Sequence, residues 1–348
     1  MIRLIEPTGL VKPYPYNLIS EHCTVTGAHP MLKLHYKFFL SLLVFSVLLG
    51  ACAAPTQAPT PTAEATPTPV TINLTDGLGK TFTIENPYQK IVSLAPSNTE
   101  ILFAIGAGSQ VVARDTFSDY PEAALQVKDI GGGWGEIDTE AILALQPDLI
   151  LAAEINAPEQ VKALEDLGLR VFYLSNPKDL EGMYANLLTV SRLTGHEQEA
   201  EALVETLRQR VATVDARIAT VADKPVVFYE LDASDPNAPW TSGPGTFIDL
   251  LLARAGGSNL GNIMQDAWAQ ISLEVLIQED PDIILLGDAL WGGVTPEAVA
   301  ARAGWDALTA VKEGKVYPFD DNLVSRPGPR MVDGLEQLAR LLHPDLFE

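Results

Sequence analysis

One segment of this chain occurs twice, 134 residues apart, and that interval constrains the fold more than any other feature. Trp134-Gly-Glu-Ile-Asp-Thr-Glu140 returns as Trp268-Ala-Gln-Ile-Ser-Leu-Glu274. Beyond each glutamate the chain repeats a Pro-Asp and an apolar run, Pro147-Asp148-Leu149-Ile150-Leu151 and Pro281-Asp282-Ile283-Ile284-Leu285. The interval is too long for a solenoid unit, and two copies are too few for an array. It suits two similar α/β lobes in one molecule. Two lobes offering one Trp and one Glu each imply a ligand held between them and a pseudo-symmetric partner docked across both.

The N-terminal part reads as targeting sequence, to be set aside before the fold is argued. Residues 1–30 carry no clear periodicity and are read as an over-extended start, with Met31 the initiator. From Met31 a short basic stretch leads into the uncharged run Phe38–Leu49, then Leu49-Gly50-Ala51-Cys52. The apolar run is too short for a permanent span, and the last four residues resemble a bacterial lipobox. Residues 31–51 are therefore expected to be a lipoprotein signal peptide, with Cys52 as the lipidated residue and the membrane anchor. Residues 52–70 are rich in Pro, Thr and Ala and form an expected tether in extended polyproline II. The chain has two cysteines, Cys23 and Cys52. With Cys23 outside the product, no disulfide is expected.

The chain carries 23 Lys and Arg against 45 Asp and Glu, a formal charge of −22. Such acidity repels nucleic acid and anionic lipid. It fits a basic docking partner and equally fits simple solubility of an exported protein. Residues 71–348 are long enough to bury a sizeable core.

Alternating strand and helix patterns predict an α/β fold of two lobes, residues 71–195 and 224–348, joined by one long helix over 196–223, with the ligand cleft between the lobes. In the first lobe a hairpin is expected around Asp76-Gly77, then strands at 91–94, 148–152 and 170–174. Ser97-Asn-Thr-Glu100 has capping-box spacing. Helices are expected over 139–145 and after Pro158. The second lobe is read as strands 226–231, 282–286 and 315–318, with helices 246–254, after Ser272 and 330–342. In the connector, Leu203, Leu207, Val211, Val214, Ile218 and Val221 recur at spacings of four and three residues, one apolar stripe on a helix. A single long helix as the only connector makes a stiff hinge.

Ile91-Val-Ser-Leu-Ala-Pro-Ser-Asn-Thr-Glu100, Ser118-Asp-Tyr-Pro121, the two Trp-to-Glu segments and Arg326-Pro-Gly-Pro-Arg330, in that order, resemble the helical-backbone substrate-binding proteins of ABC importers. These serve cobalamin, iron-siderophore and haem uptake, and the resemblance covers about residues 71–348. It is greatest to the cobalamin-binding branch, which places a tryptophan six residues before the glutamate in both lobes. The resemblance implies an extracytoplasmic, monomeric carrier with no intrinsic cofactor. Its bound ligand would be a corrinoid or, alternatively, a ferric siderophore or haem, and its partner an ABC permease dimer with its ATPase subunits.

Carried over by position, Glu140 and Glu274 match the glutamates that dock on permease arginines. The plainer reading is that an acid in a helix's first turn answers the helix dipole, with Asp138 and Ser272 as caps. Phe117, Trp134, Trp240 and Trp268 match aromatic positions of the corrin cleft; ordinary core packing is the alternative for each. Trp134 after three glycines and Trp240 in Pro239-Trp-Thr-Ser-Gly-Pro-Gly245 are read as loop residues, which favours a ligand. Asp320, Asp321, Arg326 and Arg330 match the charged edge of the cleft, where arginine suits a carboxylate or a polar corrin substituent. For Arg330 the alternative is a first-turn residue of the last helix. The chain departs from the cobalamin branch in a loop one residue longer near Asp321 and in Ala152-Ala153, where that branch can carry a tryptophan. Haem and siderophores therefore stay open.

An exported enzyme is the main reading of a different class. Beyond Cys52 the only histidines are His196 and His343, and there is no Gly-x-Ser-x-Gly elbow or P-loop. No histidine cluster suited to zinc or manganese is present. A lipoprotein that senses its ligand for a membrane receptor is a third reading.

Overall fold

A computed structural model describes residues 71–133 and 135–348. The expected start extension, signal peptide, tether and lipidated Cys52, and Trp134, lie outside the described residues. The chain divides into two units, 1–66 and 67–348, and every described residue belongs to the second.

The first lobe opens with the hairpin β1 (Ile72–Thr75) and β2 (Thr81–Ile84), paired antiparallel across Asp76-Gly77 as expected. Its main sheet is parallel, in the order β5-β4-β3-β6-β7. The strands are β3 (Ile91–Ser93), β4 (Val111–Arg114), β5 (Lys128–Asp129), β6 (Leu149–Ala153) and β7 (Val171–Leu174). Helices α1 (Pro96–Ala104), α2 (Thr139–Leu145), α3 (Pro158–Asp166) and α4 (Leu180–Thr194) cover it. β3, β6 and β7 are buried along their whole length, as continuous apolar runs must be when both sheet faces are covered.

After α5 (Glu197–Ile218) comes the second sheet, in the order β11-β9-β8-β12-β13 with β10 beside β8. Its strands are β8 (Val226–Asp232), β9 (Trp240–Ser242), β10 (Ser258–Asn259), β11 (Trp268–Gln270), β12 (Ile283–Leu286) and β13 (Val316–Pro318). Its helices are α6 (Phe247–Arg254), α7 (Leu273–Glu279), α8 (Ala289–Gly292), α9 (Pro296–Ala300), α10 (Thr309–Lys312), α11 (Asn322–Ser325) and α12 (Met331–Leu342). β9 runs antiparallel to β8 and β11 antiparallel to β9.

The internal repeat has a direct structural cause. In each copy a short helix, α2 or α7, ends in a left-handed residue, Gln146 or Asp280. The Pro-Asp that follows starts the next parallel strand. Asp148 accepts hydrogen bonds from the backbone N–H groups of Gln89 (2.7 Å) and Lys90 (2.9 Å), just ahead of β3. Asp282 accepts from Val226 N–H (2.7 Å) at the head of β8. The repeated aspartate thus pins β6 to β3 and β12 to β8 at their amino ends, satisfying donors that no ladder reaches.

α5 buries Ala200, Val204, Leu207, Val211 and Val214. The expected stripe is therefore present but turned towards Val204; Leu203 and Ile218 are half-buried, and Val221 lies past the helix end. Gly195 separates α4 from α5 at φ +77°, and a Cβ there would stand 2.7 Å from Pro87 Cγ, so only glycine makes this corner. Arg210 of α5 forms ion pairs with Asp333 and Glu336 of α12, and Asp215 of α5 pairs with Arg254 of α6.

The expectation that one helix alone connects the lobes holds for the chain path but not for the packing. A single cluster of buried side chains runs from Ile91 and Leu151 of the first lobe, through Val204 and Val211 of α5, to Tyr229, Leu335 and Leu338 of the second. Two further clusters fill the outer face of each sheet. Rocking one lobe against the other would open a close-packed interior, which resists small displacements.

Candidate functional site

The carboxyl ends of the strands carry the loops that face across the molecule, the usual place for a ligand in α/β sheets. From the first lobe come Asp115–Pro121 after β4, the glycines 131–133 after β5, and Glu154–Asn156 after β6. From the second come Ala233–Pro239 after β8, Gly287–Gly293 after β12, and Asp320–Pro329 after β13. The two edges meet directly. Arg326 donates to Asp119 Oδ1 (2.6 Å) and Glu100 Oε1 (3.3 Å). Arg330 donates from Nε to Glu100 Oε2 (2.8 Å) and from Nη2 to Oε1. Its guanidinium lies 3.9 Å from the ring centroid of Tyr120, a cation–π contact.

Glu100 is only 2% exposed, and its role departs from the expected capping box. α1 begins at Pro96 with Ala95 as its N-cap and no side-chain cap, so Ser97 and Glu100 lie inside the helix. Proline at N1 needs no partner for the N–H it lacks, and the glutamate is released for the opposite lobe. The rest of the motif builds the loop it faces. Thr99 Oγ1 lies 2.8 Å from both Ser93 Oγ and Ser118 Oγ, and Ser118 donates to Asp115. Asp115 also accepts from Phe117 N–H (2.9 Å). Burial pushes the Asp115 carboxyl above its usual range, against the lowering effect of those hydrogen bonds.

Phe117 is part-exposed, and its ring lies against Gly133, where a Cβ would come within 2.1 Å of Phe117 Cε2. Gly131, Gly132 and Gly133 all have positive φ, so the run of three glycines is required by the backbone. Trp240 is 42% and Trp268 50% exposed. Trp240, expected in a loop, instead opens β9 opposite Asp232, at the carboxyl end of β8. Trp268 opens β11 and pairs with Ser242, while Trp240 pairs with Gln270. Paired residues share a sheet face, so the two indoles stand on one face in diagonal register. Sequence spacing alone could not have shown this, because the pairing spans a 25-residue excursion.

Asp321, expected at the cleft edge, is turned inward. Its Oδ1 accepts from the Tyr229 hydroxyl (2.9 Å), and burial raises its pKa. Arg326 and Arg330 do lie between the lobes, but both guanidiniums already hold carboxylates. Glu140 and Glu274 are exposed, each the second residue of its helix. Asp138 caps α2 through Ala141 N–H (2.9 Å), and Ser272 caps α7 through Val275 N–H (3.3 Å). Capping is thus done without the glutamates.

Below α8 lies a buried acid pair that the sequence did not signal. Glu230, fully buried at the end of β8, is held by Arg302 at 2.6 and 2.9 Å. Asp288 beside it accepts from Ala233 N–H (3.3 Å) through one oxygen, while the other has no partner. Burial first, and then the charge of Glu230, pushes Asp288 up to about 7. The folded protein therefore holds a proton there that the unfolded chain releases near pH 4. Stability should fall as pH rises from about 4 to 7, with the full penalty above that. Asp288→Asn is expected to raise the unfolding free energy at pH 8 on the order of 2–4 kcal/mol, at roughly 1.4 kcal/mol per pKa unit, and to change little at pH 4. Urea titrations at the two pH values check this; an equal effect at both would refute it.

Among the described residues no group of three or more His, Cys, Asp and Glu is arranged to hold a metal ion, and no helix is long and apolar enough to cross a membrane. Two α/β lobes meet through a cross-lobe ion cluster, with exposed indoles on the second, the two-lobed architecture of a binding protein. The chain belongs to the periplasmic binding protein family, which it matches over residues 91–323. It is a substrate-binding protein of the ABC-importer type, not an enzyme.

An uncharacterised ABC transporter substrate-binding lipoprotein of Bacillus subtilis, YvrC, is 31% identical over 313 residues, 88% of this chain and 97% of the relative. The cobalamin-binding protein of Halobacterium salinarum is 29% identical over 279 residues, 77% of this chain and 73% of that protein. Among solved structures, the periplasmic vitamin B12 binding protein BtuF of Vibrio cholerae superposes with a TM-score of 0.64 at 28% identity, over 75% of this chain and 99% of that one. The periplasmic haem-binding protein RhuT from Roseiflexus sp. RS-1 gives 0.67 at 25% identity, over 74% and 99%.

Proposed function

We propose that this protein is a lipid-anchored carrier that captures a corrinoid between its lobes and delivers it to an ABC permease, with Glu140 and Glu274 as the docking acids and Cys52 as the anchor. The observation that carries the ligand class is the neutralisation of Arg326 and Arg330. A haem or a carboxylate siderophore needs free cations in the cleft, and these two are occupied by Glu100 and Asp119. Trp240, Trp268 and Phe117 instead offer flat apolar surface, which suits a broad macrocycle edged with uncharged amides. The likeness to the cobalamin-binding relative supports the same choice. The likeness to the haem-binding structure supports haem as the second reading.

Calorimetric titration of residues 67–348 with cyanocobalamin, cobinamide, haemin and a ferric hydroxamate tests this. One-to-one binding of a corrinoid is the expected result. Binding of haemin or the ferric chelate alone would overturn the ligand class and leave the carrier. The mass of the full chain extracted from membranes tests the anchor: a diacylglycerol on Cys52 is expected, and an unmodified cysteine would refute it.

A further inference from the structure

We infer that Leu290 and Trp291, on α8, form a third apolar wall of the cleft, and that Trp291 sets affinity for a large, flat, uncharged macrocycle. The inference rests on the ligand class proposed above. Of the large apolar side chains among the described residues, Leu290 (65%) and Trp291 (63%) are the most exposed. They stand together just past the carboxyl end of β12. The equivalent strand of the first lobe is β6, and the loop after it exposes Ile155.

The platform beneath them is built rather than loose. Gly287 N–H donates to Glu230 O (2.8 Å), and Gly292 N–H to Asp288 O (2.8 Å). A Cβ at Gly287 would stand 2.6 Å from Tyr229 Cε1, so this turn is seated on the Tyr229 ring. Tyr229 in turn donates to Asp321, at the start of the loop that carries Arg326. α8, the end of β8 and the arginine loop therefore form one packed piece of the second lobe. Trp240 opens β9 at the end of the same β8, so the new wall continues the edge that carries the indoles.

An indole and a leucine held this far out by a rigid base have no packing role in the lobe they belong to. Contiguous exposed apolar surface of this kind marks a site of interaction. The continuity of the edge with Trp240 selects the cleft ligand as its occupant. The sequence also supplies a reason for a tryptophan here. Ala152 and Ala153, at the end of β6, are small and buried, so the first lobe offers no large aromatic from that strand. The aromatic surface comes from the opposite lobe instead.

The test is titration of wild type, Trp291→Ala, Trp291→Phe, Trp240→Ala and Trp268→Ala with whichever of the four titrants the wild type binds. Unfolding midpoints serve as the check that each variant is folded. Trp291→Ala is expected to raise Kd about 10- to 100-fold, and Trp291→Phe to recover most of it. Normal affinity in Trp291→Ala, with weakened binding in Trp240→Ala or Trp268→Ala, overturns this inference and leaves the cleft. Normal affinity in all three alanine variants, or a wild type that binds none of the titrants, overturns the cleft reading as well.

Discussion

Reversal of Glu140 and Glu274 together to lysine is expected to abolish ligand uptake while leaving Kd within about twofold of wild type. Both side chains are exposed and lie in the first turns of α2 and α7, whose caps are Asp138 and Ser272. Little of the fold depends on them. A lysine in a first turn opposes the helix dipole by about 0.3–1 kcal/mol, which a folded body of this size tolerates. At a docking surface the same change turns attraction into repulsion. Close interfacial charge pairs couple by roughly 1.5–7 kcal/mol, so loss of both should reduce uptake more than about 100-fold. Reconstituted transport with labelled ligand measures the first quantity and calorimetry the second. The glutamine pair separates lost attraction from added repulsion and should retain partial uptake. Uptake at the wild-type rate, or a Kd that moves with the charge, would remove these residues from the docking role.

Glu100→Ala is expected to cost about 3–5 kcal/mol of stability, the usual consequence of removing one partner from a buried ion cluster. The carboxylate sits between Arg326 and Arg330, both of which are themselves mostly buried. Arg326 keeps Asp119, whereas Arg330 would retain only the Tyr120 ring. Because the cluster joins the lobes, the loss should also loosen their mutual packing. Urea denaturation gives the stability, and amide hydrogen exchange in β4 and α12 reports the loosening. Glu100→Gln keeps the geometry without the charge and should fall between. A loss below about 1 kcal/mol would show that the cluster is solvated and that the lobes are held by the shared core alone.

Glu100 also shows where the sequence could be read and where it could not. Its spacing from Ser97 fits a capping box, and local spacing says nothing about a partner 226 or 230 residues away. Proline at 96 was the one local signal against that reading, since a helix that starts on proline needs no side chain for that N–H. The repeat behaved differently. Helix, left-handed turn and Pro-Asp strand head are all local structures, so both copies were visible from composition and period alone. Neither the repeat nor the family resemblance marks Trp291. Only its exposure on a seated turn does.

By itself the sequence determined the two α/β lobes, the connecting helix and the paired glutamates. Each of these follows from the period of apolar residues and from caps and turns within a few residues of one another. The tertiary structure alone decided that Arg326 and Arg330 are neutralised by carboxylates of the first lobe, that Asp321 turns inward to Tyr229, and that Trp240 and Trp268 share a sheet face. These depend on which strand lies beside which and on how two lobes approach, and contacts between residues far apart in the chain leave no periodic trace in it.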